Sequence, residues 1–270
     1  MSSKLNHIPF LPSYEFVRDE MADDLRYRLN NRTVRTSLGR PLYYHISVQL
    51  IITQECPFHC PFCLERQNPM SGDNDFPAQL HALKMVLDEH PDARLTITGG
   101  EPGLYPEHVA NAVDVYQHHS NGIFCSINTA GFSTKLNGLV HINLSHNDFV
   151  HEDPSKFPRC TIQTVVENPT TEFIKDYMKM DGESFSFRFL SSLDKIDYPV
   201  TVWNELQQDR EIQIHTFRIG DFFMYATFNY AGKHARLTLG DMWQQRNNIY
   251  QDGYSNIIIH PDGRVATNWR

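Results

Sequence analysis

The sequence lacks the features that would place the protein in a membrane, outside the cell or on a nucleic acid. No apolar run approaches the length of a membrane span, and residues 1 to 12 lack the basic-then-apolar pattern of a secretory signal. Only five of 270 residues are cysteine, and their clustering does not indicate a secreted disulfide framework. Acidic residues outnumber basic ones by 32 to 24, a formal net charge of −8, so no broad phosphate-binding surface is expected. These absences predict a cytoplasmic globular protein with neither a membrane nor a nucleic-acid partner.

What the sequence does contain is a compact cysteine loop. Cys56, Cys60 and Cys63 follow a C-x3-C-x2-C spacing. Iron–sulfur clusters are held by Cys thiolates, usually four to a [4Fe–4S] cube, so three ligands leave one iron open to a substrate or cofactor. A zinc site is the alternative, because structural zinc takes four N or S ligands and His59 is available as the fourth. The lack of a second half-site on so short a loop favours iron–sulfur over zinc.

A second motif, Gly99-Gly100-Glu101-Pro102, follows the second predicted strand. Glycines let the backbone approach a ligand closely, and the Glu101 carboxylate can accept a hydrogen bond from an ammonium group. Together the cysteine loop and the Gly-Gly-Glu-Pro stretch resemble the motifs of the radical S-adenosylmethionine superfamily. The resemblance covers roughly residues 45 to 190.

This resemblance implies a set of site residues. Cys56, Cys60 and Cys63 are the expected metal ligands and catalytic residues, holding a [4Fe–4S] cluster whose fourth iron is chelated by S-adenosylmethionine. The stretch Gly99–Pro102 is expected to contact the methionine amino group. Further expected contacts of the cofactor are Phe62 near the adenine, Asn128 in a strand-end turn, Ser145 near the ribose, and Arg188, which can bind a carboxylate of the cofactor or of the substrate. For each of these four residues a purely structural role is the alternative.

Alternating strands and helices predict the fold. Strands joined by helices or short connections imply a parallel sheet with right-handed crossovers, and six such units give an incomplete barrel, as in the radical family. We therefore expect an α/β fold, a partial (β/α)6 TIM-like barrel over residues 41 to 195, with an N-terminal helical extension over residues 1 to 40 and a C-terminal β-hairpin extension over residues 196 to 270. The predicted strands are Tyr43–Thr53, Arg94–Thr98, Gly122–Asn128, Leu139–Leu144, Cys160–Val166 and Ser184–Leu190, and the predicted helices cover residues 14 to 30, begin at Asp75 and at Pro106, and span Thr171–Met180.

The chain beyond Leu190 contains two predicted hairpins. The first joins Phe222–Tyr230 to Arg236–Leu239, and the second, over Asn256–Asn268, turns at Pro261-Asp262-Gly263. The second hairpin resembles the start of a SPASM or twitch extension, in which cysteines after the turn hold an auxiliary cluster. Because no cysteine follows the turn here, we expect a single cluster and an extension that covers the barrel mouth. Cys125 and Cys160, inside predicted strands, are interpreted as core residues.

The predicted function follows from the resemblance. A radical S-adenosylmethionine enzyme cleaves its cofactor reductively to a 5′-deoxyadenosyl radical, which takes a hydrogen atom from the substrate. A small-molecule, nucleotide-like or peptide substrate in a biosynthetic pathway is expected, together with an external one-electron donor of the flavodoxin or ferredoxin type. A glycyl-radical enzyme activase is one alternative. A non-catalytic zinc- or iron–sulfur-binding module is the alternative from another class.

Overall fold

The protein is described by a computed structural model. It describes residues 34–35, 41–42, 47–67, 73–122, 124–166, 170–189, 197–219, 223–240 and 256–266. The predicted helix over residues 14 to 30 lies outside these ranges. The chain forms two compact units. The cysteine-loop unit comprises His45–Cys160 with Arg246–Arg270, and the second unit comprises Met1–Tyr44 with Thr161–Gln245.

The cysteine-loop unit is built on a mostly parallel sheet. Its strand order is β13-β12-β3-β4-β5-β6, in which only the β12–β13 pair is antiparallel. Val48, Leu50 and Ile97 are fully buried on one face of this sheet, whereas Gln49 and Thr96 on the other face are half-buried. The strands are β3 Ser47–Ile51, β4 Arg94–Thr98, β5 Cys125–Thr129, β6 His141–Ser145, β12 Asn256–Ile259 and β13 Val265–Ala266.

The two long helices of this unit begin where the sequence predicts them, whereas the short helix α1 was not predicted. The side chain of Asp75 accepts a hydrogen bond from the Ala78 N–H and caps α2, and Pro106 is the first residue of α3. Short 3-10 turns over Thr134–Leu136 and Pro154–Lys156 replace full helices after β5 and β6, as the short connections there predict. The helices are α1 Leu64–Gln67, α2 Phe76–Glu89 and α3 Pro106–His119.

The second unit contains parallel and antiparallel strands. β7, β8 and β11 are parallel neighbours, and β10 pairs antiparallel with both β11 and β9. β1 and β2 form a separate antiparallel pair. The elements are β1 Val34–Arg35, β2 Pro41–Leu42, β7 Thr161–Val166, α4 Thr171–Tyr177, β8 Ser184–Phe189, α5 Asp197–Gln208, β9 Ile212–Ile219, β10 Phe223–Tyr230 and β11 Lys233–Gly240.

The α/β class with parallel strands is confirmed, and so are both C-terminal hairpins. The hairpins do not stand apart from the sheets, because β12 pairs with β3 and β11 pairs with β8. Each thereby satisfies backbone groups that an open strand edge would leave unpaired. The division at residues 40 and 195 and the covering of the barrel mouth stay predictions. Within the described ranges, no helix has both the length and the apolar character that a membrane span requires.

Parallel pairing decides where the site residues lie. The carboxyl ends of β3 to β6 fall at one edge of the sheet, and each is followed by residues that the sequence predicts for the site. The cysteine loop follows β3, and the Gly-Gly-Glu-Pro stretch follows β4. Asn128 is the last residue but one of β5, and Ser145 is the last residue of β6. This edge is where α/β proteins place their ligand sites.

Candidate active site

The cysteine loop leaves β3 and presents three free thiols. Cys56, Cys60 and Cys63 are all partly exposed, and the Cys63 N–H donates to the Cys60 carbonyl oxygen at 3.2 Å. Burial raises the pKa of Cys56 and Cys60, and the charges of the neighbouring thiolates raise it further.

The donor set of this loop fits an iron–sulfur cluster. Thiolates are the ligands that such clusters take, and positive iron would offset the burial, and after it the mutual repulsion, that raises the pKa of Cys56 and Cys60. Within the described residues, no three His, Cys, Asp or Glu side chains are already gathered in metal-binding geometry. His59, the fourth ligand in the zinc alternative, is exposed.

The two glycines of the second motif pack against the cysteine loop. The Gly100 N–H donates to the Thr53 carbonyl oxygen at 2.5 Å, and the Glu101 N–H donates to that of Glu55 at 2.8 Å. Gly99 has a φ of +127°, and a Cβ there would lie 2.5 Å from the Thr53 oxygen. A Cβ on Gly100 would lie only 2.0 Å from the Glu55 oxygen. Both positions therefore require glycine, because the backbone leading to the first cysteine passes directly alongside.

Glu101 is 1 % exposed and joins the ends of two strands. Its carboxylate accepts hydrogen bonds from the Gly103 N–H at 2.7 Å, the Thr129 hydroxyl at 2.5 Å and the Ala130 N–H at 2.6 Å. Burial raises the pKa of Glu101, while these three donors act in the opposite direction. A carboxylate has about four acceptor sites, so these contacts leave capacity for one further donor. The predicted bond to a methionine ammonium stays a prediction.

The ends of β5 and β6 are tied together by polar side chains. The Asn143 amide donates to the Asn128 side-chain oxygen at 2.9 Å, so Asn128 already has a protein partner. Ser145 ends β6 and is partly exposed. Pro102 is buried at the start of a 3-10 turn. Their contacts with the cofactor stay predictions, as does that of Arg188, which lies on β8 in the second unit.

Phe62 has an aromatic partner that sequence reasoning missed. Its ring lies edge-to-face with Phe149, with centroids 6.1 Å apart and an interplanar angle of 71°. Phe149 follows β6 in an irregular segment and is 47 % exposed. No periodicity marks such a residue, so nothing in the sequence distinguishes it. The cysteine loop and the loop after β6 thus share an aromatic pair in which Phe62 is half-buried and Phe149 is exposed.

A buried glutamine was also missed. The side-chain amide nitrogen of Gln79, on α2, donates to the carbonyl oxygens of Ile51 at 3.3 Å, Ile52 at 3.1 Å and Pro261 at 2.7 Å. Its amide oxygen faces the Nε2 of His108 at 3.0 Å, so that nitrogen is the donor. Gln79 therefore fixes the backbone from which the cysteine loop departs. A polar residue in an apolar helix stripe gives no sequence signal of this role.

The other two cysteines lie away from the loop. Cys160 is buried, and burial raises the pKa of Cys125 to about 12. A thiol so reluctant to ionise is a poor metal ligand. The structure thus agrees with the prediction of a packing role for Cys160, whereas Cys125 is only partly buried.

Comparisons with known proteins bear on this arrangement. No protein-family model matches the chain. GTP 3',8-cyclase of Actinobacillus pleuropneumoniae is 24% identical over 235 residues, which are 81% of this chain and 67% of that enzyme. GTP 3',8-cyclase of Haemophilus influenzae is 24% identical over 237 residues, which are 82% of this chain and 68% of the enzyme. Among solved structures, Streptococcus suis SuiB bound to its precursor peptide SuiA matches with a TM-score of 0.55 at 15% identity. SuiB bound to S-adenosylmethionine matches with a TM-score of 0.54.

These matches confirm the resemblance of the chain to the radical S-adenosylmethionine superfamily. The match covers 82% of this chain but spans only 59% of the SuiB chain. The fold is accordingly a partial TIM-like barrel with a sheet that does not close. The cysteine loop and the Gly-Gly-Glu-Pro stretch fit a [4Fe–4S] cluster and S-adenosylmethionine, and the matched SuiB structure was solved with S-adenosylmethionine bound.

Proposed function

We propose that this chain is a radical S-adenosylmethionine enzyme that abstracts hydrogen from a small-molecule, nucleotide-like or peptide substrate in a biosynthetic pathway. The observation that carries the proposal is the pair of backbone hydrogen bonds that join the two motifs, which we call the backbone junction. The N–H groups of Gly100 and Glu101 bond to the carbonyl oxygens of Thr53 and Glu55, which lead directly into Cys56. A chance pairing of the two motifs would not require this shared backbone, with two glycines at its closest points.

Each group of residues has a role in this proposal. Cys56, Cys60 and Cys63 hold the cluster, and the stretch from Gly99 to Pro102 positions the cofactor beside it. When bound, the cluster and S-adenosylmethionine supply a 5′-deoxyadenosyl radical by one-electron reductive cleavage. Asn128 and Ser145 offer amide and hydroxyl groups at neighbouring strand ends, which suit a ribose. The aromatic pair of Phe62 and Phe149 offers an apolar surface to an adenine ring and excludes water.

A nucleotide-like substrate is the first candidate. The relatives in sequence are named GTP 3',8-cyclase, and they align over more than four fifths of this chain. A peptide is the second candidate, because the SuiB fold was solved with a precursor peptide. An external one-electron donor of the flavodoxin or ferredoxin type is part of the proposal, since the sequence holds no second cysteine cluster. A cytoplasmic location also belongs to it, because free thiols and a reduced cluster need reducing conditions.

Anaerobic reconstitution tests this proposal. Protein loaded with iron and sulfide and reduced with dithionite should convert S-adenosylmethionine to methionine and 5′-deoxyadenosine without any added substrate. The proposal fails if the purified chain binds zinc through the loop and releases no 5′-deoxyadenosine. Glycyl-radical activation, the rival within the same superfamily, would show as a radical signal on a partner protein only.

A further inference from the structure

The side chain of Glu55, the residue directly before Cys56, is held by a tyrosine that the sequence did not single out. The Tyr105 hydroxyl oxygen lies 2.9 Å from each of the two carboxylate oxygens of Glu55. A hydroxyl has one hydrogen to donate, so the two contacts form a forked bond that fixes the direction of the carboxylate. A bond to a charged acceptor is also stronger than one between neutral groups. Glu55 is exposed, and this contact therefore restricts a side chain that would otherwise rotate in water.

Tyr105 is itself fixed through its backbone and its ring. It follows the short 3-10 turn Pro102–Leu104, and its N–H donates to the Pro102 carbonyl oxygen at 3.0 Å. Its ring lies edge-to-face with that of Phe76, the first residue of α2, with centroids 5.0 Å apart. Burial, and after it the bond to Glu55, raises the pKa of Tyr105, so the hydroxyl keeps its proton at neutral pH and acts as the donor.

A second side chain holds the residues that lead into the first cysteine. The side-chain amide of Asn74 donates to the Thr53 hydroxyl oxygen at 3.1 Å and lies 3.5 Å from the Glu55 carboxylate. The Thr53 hydroxyl oxygen also accepts a hydrogen bond from the Glu55 N–H at 3.0 Å. The segment from Thr53 to Glu55 is thus held by side chains as well as by the backbone junction with Gly100 and Glu101.

We propose that Tyr105 is a positioning residue for Cys56 and acts through the Glu55 carboxylate. Cys60 and Cys63 are joined to each other, because the Cys63 N–H donates to the Cys60 carbonyl oxygen. Cys56 lies four residues before this turn, so its place beside the other two thiols depends on how Glu55 is held. The carbonyl oxygen of Glu55 is fixed by the backbone junction and its side chain by Tyr105, which together restrict rotation into the first cysteine. This role rests on the proposed function, since it requires a cluster on the cysteine loop.

Iron release from the reconstituted chain to a ferrous-iron chelator tests this role. Tyr105→Phe keeps a ring beside Phe76 and removes only the hydroxyl, and it should release iron about three- to tenfold faster than the wild type. Tyr116→Phe is the matched control. The Tyr116 hydroxyl bonds to backbone groups of Ala93 and Phe124, at the amino ends of β4 and β5, away from the cysteine loop. This control should lose stability but release iron like the wild type.

Variants of Glu55 show whether Tyr105 acts through this residue. Glu55→Gln keeps an oxygen that accepts from the Tyr105 hydroxyl, so its iron release should stay close to that of the wild type. Glu55→Ala removes the acceptor and should match Tyr105→Phe. The double variant Tyr105→Phe/Glu55→Ala should release iron no faster than either single variant, because the two residues form one contact.

The electron paramagnetic resonance signal of the dithionite-reduced cluster is a second readout, which a general loss of stability would not change. A first thiolate of variable direction gives a mixture of cluster geometries. The signal should therefore broaden in Tyr105→Phe and in Glu55→Ala. It should keep the wild-type line shape in Tyr116→Phe and in Glu55→Gln.

Three results would overturn the role of Tyr105. These are wild-type iron release and line shape in Tyr105→Phe, equally fast release in Tyr116→Phe, and additive acceleration in the double variant, which would show that Tyr105 and Glu55 act separately. The proposed function is decided by the wild type alone, through its iron content and its release of 5′-deoxyadenosine. A wild type that cleaves the cofactor, beside an unchanged Tyr105→Phe, contradicts the positioning role alone, whereas a wild type without a cluster contradicts both.

Discussion

The N–H of Gly100 donates to the carbonyl oxygen of Thr53 at 2.5 Å, beyond the last paired residues of β3 and β4. This bond continues the parallel ladder into the residues that precede the first cysteine. The position of the cysteine loop therefore depends on Gly100 of the Gly-Gly-Glu-Pro motif, because only a residue without a Cβ allows this close approach of the two backbone segments.

Replacing Gly100 by alanine should disturb the cysteine loop. The added Cβ would lie 2.0 Å from the Glu55 carbonyl oxygen, so the two backbone segments must separate. We expect a loss of stability of about 2 kcal/mol, in the range of overpacking substitutions, and a lower iron content after reconstitution. Chemical denaturation and iron analysis measure both effects.

The control for this variant is Gly122→Asn. Gly122 has a φ of +66°, and a Cβ there meets nothing within 4 Å. Asparagine tolerates the left-handed conformation, so stability and iron content should stay close to those of the wild type. Normal iron content in Gly100→Ala would contradict the role of the backbone junction in positioning the cysteine loop.

Glu101→Gln should weaken cofactor affinity and leave the cluster in place. An amide has one acceptor oxygen instead of two, so one of the three protein donors to Glu101 loses its partner. We expect a loss of about 1 to 3 kcal/mol in stability as well. Calorimetric titration with S-adenosylmethionine and iron analysis separate the two effects.

Thr129→Val distinguishes direct from indirect action of Glu101. It removes the hydroxyl that donates to the carboxylate at 2.5 Å and leaves the carboxylate itself intact. Weaker affinity in Glu101→Gln alone would indicate a direct bond to the cofactor. An equal loss in both variants would show that Glu101 acts by holding the end of β5, and unchanged affinity in both would remove it from the site.

The free energy of unfolding should decrease between pH 6.5 and pH 4 because of His108. Burial lowers the pKa of this residue from 6.5 to about 4, so the unfolded chain binds more protons between these values. The free energy of unfolding is therefore unaffected by this histidine above pH 6.5. It decreases as the pH falls towards 4, by up to about 3 kcal/mol. Denaturation at a series of pH values measures it.

A matched pair of variants isolates this histidine. His108→Gln should flatten the pH dependence between pH 6.5 and 4, whereas His118→Gln, at an exposed position of the same helix, should retain it. An identical slope in wild type and His108→Gln would show that other groups govern acid sensitivity.

Local patterns predicted most elements of the fold. The cap at Asp75, the proline at the start of α3 and the apolar segment Arg94–Thr98 are local signals, and the structure agrees with each. The helix Asp197–Gln208 and the strand Ile212–Ile219 were not predicted. Neither pairing of the C-terminal strands with β3 and β8 could be foreseen, because it joins segments far apart in the chain and depends on open strand edges.

These pairings also affect how the C-terminal extension can be tested. A chain ending near Lys195 would lack β11 and β12 and would expose the edges of β8 and β3. Insolubility of such a truncation would therefore say nothing about substrate contacts.

The candidate site was predicted only in part. The clustered cysteines and the paired glycines can be recognised in the sequence, because their spacing is a motif. Gln79 and Phe149 cannot be recognised in this way. Gln79 contacts backbone carbonyl oxygens, and Phe149 contacts the ring of Phe62, that come near only in the folded chain. The partners of Glu101 were missed for the same reason.

Substitution of single cysteines should separate ligands from packing residues. Cys56→Ala, Cys60→Ala and Cys63→Ala should each abolish stable iron binding, whereas Cys125→Ala, which removes a thiol with a pKa near 12, should retain it. Reconstituted wild type should hold about four irons per chain, as one cube requires. About eight irons would reveal a second cluster.

The most direct test of the account is the release of 5′-deoxyadenosine by the reconstituted, dithionite-reduced chain in the presence of S-adenosylmethionine. The account predicts that the nucleoside and methionine appear in equal amounts with the wild type and with Cys125→Ala, and that neither appears with Cys60→Ala. Wild-type protein that carries a full cluster and yet yields no 5′-deoxyadenosine would contradict it.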